Sequence, residues 1–128
     1  YYSLGVITWA KWYPRLMEAR NKLGMKPEDP GPLKDKKVKE ALKAQWSEMI
    51  NQGIAHLEKA LQIDPEYDEA MAYLNLLHRE RADLMDTSEE YKKEIEIADN
   101  FVEKALDTKK IKAERAAQQA AKGGIKAE

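Results

Sequence analysis

The stretch Leu57-Glu58-Lys59-Ala60-Leu61 returns 45 residues later as Val102-Glu103-Lys104-Ala105-Leu106. Each time a small residue stands four positions ahead of the first large one, Gly53 before Leu57 and Ala98 before Val102. Upstream, Tyr1-x-x-Leu4-Gly5 is echoed 70 residues on by Met71-x-x-Leu74-Asn75. The matches keep the same order in both copies, so the chain carries an internal repeat. Around them the apolar spacing is helical: Ile50, Ile54, Leu57 and Leu61, like Met71, Leu74 and Leu77, advance by three and four and lay one stripe along a helix. No stretch alternates with period two, and the fold class is all-α. Helices in a hairpin approach closely only where a small residue faces the partner, and Gly5, Gly53, Ala60, Ala98 and Ala105 supply such points. Leu57, Leu61, Val102 and Leu106 are expected to fill the space between them.

These residues resemble the tetratricopeptide repeat family, whose pattern runs W-x-x-L-G-x-x-Y, then A-x-x-x-F, then P over a helix pair. Tyr1, Leu4 and Gly5 match the opening, Gly53 and Leu57 the small-then-large pair, and Pro65 the closing proline. Met71, Leu74 and Asn75, followed by Ala98 and Val102, form the second copy. Thr8 and His78 stand where the family has its tyrosine, and Lys110 replaces the second proline. From the leucine to the later large residue is 53 positions in the first copy and 28 in the second. The resemblance implies antiparallel hairpins stacked as a short right-handed α-solenoid, with a concave surface that binds a protein or peptide. It divides the chain into a first repeat of about 1–65 with a helical insertion at about 13–47, a second of about 66–110, and an Ala/Lys-rich extension over 111–128. The lysine and asparagine clamp by which the family holds terminal carboxylates has no match here.

Turn and cap residues punctuate the helices. Pro14 suits the first turn of a helix, which predicts one helix from Tyr1 to about Trp12 and another to about Leu23. Gly24 to Pro32 holds two Gly and three Pro and reads as an exposed loop. Residues 33–63 contain no proline; one long helix or two would fit, with a break near Trp46 to Glu48 favoured. Asp64 and Pro65 read as N-cap and first residue of a helix reaching about Leu84. Thr87-Ser88-Glu89-Glu90 has the form of a capping box, opening a helix to about Lys110. Residues beyond it form either a solvated helical extension or a frayed tail, dispensable for folding.

Composition narrows the function classes. The 128 residues include 22 basic and 23 acidic side chains, a net charge of -1 that gives no global attraction for nucleic acid. Residues 109–128 alone carry six basic and two acidic groups, Lys109, Lys110, Lys112, Arg115, Lys122 and Lys126 being the basic ones. They lack the interleaved aromatics of a single-strand binder, so nucleic acid is not the expected partner. There is no cysteine and no catalytic or phosphate-binding motif, and His56 and His78 read as packing residues; enzyme activity, cofactor and metal are not expected. No apolar run reaches the roughly 18 residues of a membrane span, the best, Leu4 to Ala10, being seven long; a soluble chain without membrane insertion is expected. It opens on Tyr1 rather than Met, from which removal of an upstream segment and an extracytoplasmic origin would follow as one option. Five of the ten aromatics fall within residues 1–13, more than one helical partner covers. The candidate partner-binding residues are therefore Tyr2, Trp9, Trp12, Tyr73, Arg79 and Arg81. Arg79 stands one turn before Asp83, where a surface ion pair competes with a role in holding a partner's carboxylate. A homo-oligomer stacked through the aromatic helix is the alternative to a peptide-binding scaffold.

Overall fold

In the computed structural model the backbone is described for residues 1–127 and the side chains for residues 1–122. Four helices follow in order: α1 (Tyr2–Lys22), α2 (Lys36–Ile63), α3 (Asp68–Ala82) and α4 (Ser88–Ala127), with no strand among the described residues. α1 packs on α2 and α3 on α4, while both α1 and α2 touch α3. The order is that of stacked antiparallel hairpins, as expected of an all-α helical repeat.

The first hairpin closes on two glycines. A Cβ on Gly53 would lie 2.7 Å from Thr8 Cγ2, and one on Gly5 would lie 2.6 Å from Leu57 Cδ2. Each glycine thus receives a side chain of the opposite helix, and the backbones approach to a separation no larger residue permits. Trp12, Leu16, Ile50, Leu57, Leu74 and Leu77 continue the core into the second hairpin, each 0–1% exposed. Loop residues Met25 and Leu33 join the same cluster.

Several expected boundaries shift. Pro14 does not start a helix; α1 runs through it. A helix-interior proline costs about 3 kcal/mol or more, but Gly5, Thr8, Trp12, Leu16 and Ala19 form one buried stripe that a break would dismantle. Full burial of Trp12 and Leu16 alone contributes about 1.5–3 kcal/mol each. α2 is likewise unbroken at Trp46, whose ring lies 5.9 Å from that of Trp12. Residues 13–47 are therefore the distal parts of α1 and α2 with their loop, not a separate helical insertion. Asp64 ends α2 instead of capping α3: its Oδ1 accepts the Glu66 N–H at 3.0 Å, which turns the chain, and Pro65 lies exposed in that turn. α3 then begins with Asp68 and Glu69, acids suited to a helix N-terminus.

The second helix of the second hairpin, α4, opens on Thr87, whose Oγ1 accepts the Glu90 N–H at 3.1 Å. The Glu90 carboxylate accepts the Thr87 hydroxyl at 2.9 Å, so the box forms on the side-chain oxygen. Ala98 and Ala105 face inward, 0% and 8% exposed. Val102 and Leu106, expected beside them, are 37% and 62% exposed; Phe101 turns in instead, its ring 5.8 Å from that of His78. Leu4, expected at a repeat contact, is also exposed, because the neighbouring Gly5 takes the inward position. Past Lys110, α4 continues as a helix, solvent-exposed over residues 111–122. Lys112 Nζ donates to Asp68 Oδ1 at 2.8 Å and Arg115 forks onto Glu66. The Lys126 position named above lies outside the described side chains.

Candidate functional site

Aromatic rings fill the seam where α1 meets α3. Tyr2 stacks on Tyr67 at 4.8 Å and meets the edge of Tyr73 at 5.8 Å; Trp9 meets Tyr73 edge-on at 5.6 Å and stacks on Tyr13 at 4.9 Å. Tyr2, Trp9 and Tyr13 project to one side of α1 because they recur at helical spacing, Tyr73 meets them from α3, and all four are half-buried. Each keeps part of its surface available for contact.

At the Tyr13 end the seam opens into a cavity of about 460 Å³ between the second half of α1, the 25–31 loop, α3 and the start of α4. Leu16, Met17, Leu76, Tyr91 and Ile95 give it apolar walls. Its base is ionic. Arg20 Nη1 donates to Asp83 Oδ2 at 2.8 Å, and Nη2 donates to the carbonyls of Lys26, at 2.8 Å, and Asp29. The loop is fastened further by Leu33 N–H donating to the Asp83 carbonyl at 3.0 Å and Gly31 N–H donating to the Tyr91 hydroxyl at 2.9 Å. Gly31 is required there because a Cβ would collide with the Asp83 carboxylate.

Glu80 reaches the same wall from α3. Trp9 Nε1 donates to its Oε2 at 3.0 Å, while Oε1 and the nearby Trp12 Nε1 fall short of hydrogen-bond geometry and have no partner. Burial pushes the Glu80 carboxyl up to about 8, with the Asp83 charge adding to the rise and the indole N–H groups opposing it. Burial also raises Asp83, against the pull of Arg20. On the α4 side, burial would raise Glu94, but hydrogen bonds from His78 at 2.8 Å and Arg81 at 2.7 Å outweigh it and hold the carboxyl below its usual value.

Of the expected partner-binding residues, the fold gathers Tyr2, Trp9 and Tyr73 on the seam and Arg79 on the cavity wall. Trp12 is fully buried core and is not available to a partner. Arg81 faces away from the seam and joins Asn51 of α2 to Glu94 of α4 at 2.9 and 2.7 Å. The Arg79–Asp83 pair does not form: Asp83 turns inward to Arg20, and Arg79 reaches Asn75 at 2.9 Å and Asp99 at 2.7 Å. Sequence reasoning missed Arg20, Glu80 and Asp83. The signal lay in Arg79-Glu80-Arg81-Ala82-Asp83, a charged run on a helix that is buried on several sides and so must place some of its charges inside. Among the described residues no group of three side chains is placed to hold a metal ion, and no helix is long and apolar enough to cross a membrane.

The family model described as plant specific mitochondrial import receptor subunit TOM20 matches residues 36–120, from the start of α2 well into α4. No curated protein and no solved structure matches the chain. The match is to a TPR-like receptor family and not to the tetratricopeptide family itself, which refines the resemblance drawn from the repeat. It supports protein binding without enzymatic activity. It also corrects the extracytoplasmic origin left open above, since the family description points to the mitochondrion. With well over half of its length inside that match, the chain belongs to the plant specific mitochondrial import receptor subunit TOM20 family.

Proposed function

We propose that this chain is a receptor domain that binds the targeting segment of a mitochondrial protein along the α1–α3 seam. Such segments are amphipathic, rich in arginine and poor in acids. The observation that carries the reading is the continuity of the seam: half-buried rings from Tyr2 to Tyr13 lead without a break into a cavity with apolar walls and buried carboxyls. An amphipathic helix has matching parts, an apolar face for the rings and basic groups for the acids. In this arrangement residues 1–110 form the binding unit and 111–128 its extension.

A synthetic amphipathic, arginine-containing peptide tests this by NMR titration. Shifts should concentrate on Tyr2, Trp9, Tyr13 and Tyr73, and Trp9→Ala should weaken binding by about tenfold or more, as loss of an aromatic anchor does. A scrambled peptide of equal composition binding equally well would defeat the reading.

A second reading, self-assembly through α1, is favoured by the exposure of Tyr1, Leu4 and Ile7 on its outer side, 55%, 47% and 48%. Light scattering across a concentration series separates the two: growth in mass that Leu4→Ser with Ile7→Ser abolishes would support assembly.

A further inference from the structure

The cavity at the end of the seam is lined by more acid than base. Glu28, Asp29, Glu80 and Asp83 face Arg20 and Arg79, and both arginines are already engaged. Arg20 is spent on Asp83 and two loop carbonyls, and Arg79 is drawn outward to Asp99 and Asn75. Glu80 therefore has no cation partner. It is only 7% exposed, one of its oxygens accepts the Trp9 indole N–H, and the other, beside the Trp12 indole, makes no well-formed hydrogen bond among the described residues. Buried carboxyls with unused acceptor capacity call for a donor, and the strongest available is a charged one.

We propose that this cavity is a subsite for one arginine side chain of the ligand, its stem lying on Leu16, Met17 and Leu76 and its guanidinium meeting Glu80. The proposal rests on the reading of the seam as the binding surface and names the chemistry that one end of it selects. Arginine suits the site better than lysine: its head is planar, carries several donors and is weakly hydrated, so it enters a largely apolar cavity at lower cost. Tyr13 and Tyr91 add ring faces on which a guanidinium can lie.

The groups facing Glu80 decide how binding responds to pH. From α1 they are Trp9, Trp12, Tyr13 and Arg20; from the loop, Glu28 and Asp29; from α3 itself, Arg79 and Asp83; from α4, Tyr91; α2 contributes no charged side chain to the cavity wall. With a carboxyl pushed up to about 8, Glu80 keeps its proton at neutral pH while no cation is present. An entering guanidinium favours the ionised form, so the proton leaves to solvent as the arginine binds. Linkage then makes binding tighten as pH rises, by up to about tenfold per pH unit below 8 and little above it.

The experiment compares three probes on the whole chain by calorimetry from pH 6 to 9, with the Glu80 carboxyl followed by carbon NMR. The probes are an acetylated, amidated amphipathic peptide with arginine, the same peptide with its neutral isostere citrulline, and pentylguanidinium chloride. The arginine peptide should bind at least about tenfold more tightly than the citrulline peptide at pH 8. The difference should shrink toward pH 6 and disappear in Glu80→Gln, and pentylguanidinium should lower the Glu80 titration midpoint. If both peptides bind alike at every pH, the subsite is refuted while the receptor reading stands. If neither peptide binds but pentylguanidinium still moves Glu80, the receptor reading falls and the arginine site survives. If the small cation leaves Glu80 unmoved and no peptide binds, both are overturned.

Discussion

The two hairpins close by different means. The first closes on paired glycines, Gly5 against Leu57 and Gly53 against Thr8, with apolar packing from Trp12 to Leu57 beneath. The second closes on alanines, Ala98 and Ala105, and surrounds them with polar contacts: His78 and Arg81 on Glu94, Arg79 on Asp99, Lys112 on Asp68. The links differ in the same sense. The long connection of the first hairpin ends on the Asp35 cap, which accepts the Val38 N–H at 3.0 Å, but is also held through Arg20 to Asp83 in the turn of the second, whereas the short Asp83–Thr87 connection is finished by the Thr87 cap. A small residue at the crossing point is what both hairpins share, and it is the part of a repeat signature that transfers; the filling around it is free to change.

The link through Arg20 is where breaking this arrangement should cost most. Arg20→Met removes the cation from a pair whose side chains are 4% and 9% exposed, leaving Asp83 and two loop carbonyls without their donor. Breaking one side of such a pair costs about 3–5 kcal/mol. Urea unfolding should show that loss, together with faster proteolysis near Lys26. A loss below about 1 kcal/mol would mean that the loop does not depend on the second hairpin.

Glu80 gives an effect of similar size that depends on pH. Its folded-state carboxyl, at about 8, lies above its ordinary value of 4.5. The folded chain therefore holds a proton that the unfolded chain releases, so this contribution is fully present below 4.5 and is lost as pH rises toward 8. The loss is at most about 5 kcal/mol, and Asp83, also raised, slopes the same way. Unfolding free energies at pH 5, 7 and 9 should fall in wild type and stay flatter in Glu80→Gln. Equal slopes would show that Glu80 is ionised in the folded chain.

Overpacking at the crossing points tests what the hairpins share. Gly53→Leu and Ala98→Leu should each destabilise by about 1–3 kcal/mol, Gly53→Leu more, because Thr8 already lies where the new Cβ must go. An unchanged melting temperature for both would dissolve the comparison.

How far the sequence disclosed this molecule follows from the same contrast. The small residues were legible because nothing else fits a close crossing, and Leu57 was legible because it enters the site that Gly5 leaves open. Pro14 misled because local backbone preference was outweighed by a stripe of buried side chains on both sides of it. The aromatic seam was half visible: the crowding of rings in α1 was evident, but which of them α3 would cover depended on packing that only the fold supplies. Arg20 and Asp83 were illegible as a pair because they stand far apart in sequence and meet only when the loop folds back.

Register in the second hairpin is the finest point, and the smallest predicted effect decides it. The recurrence aligns Val102 with Leu57, yet α4 is rotated so that Phe101 faces α3 and Val102 lies 37% exposed. An alanine, unlike a glycine, keeps a Cβ at the crossing and need not admit a large side chain directly opposite, so the position after it has no fixed partner. Phe101→Ala should cost about 2 kcal/mol, less than the 3–5 of a fully buried phenylalanine, because its ring is only partly covered. Val102→Ala should stay within about 0.5 kcal/mol, and Leu106→Ala likewise, with its side chain 62% exposed. Thermal unfolding of the three variants checks the order. If Val102→Ala is the costlier change, the repeat holds its register through α4, and the two hairpins are closer copies than their contacts indicate.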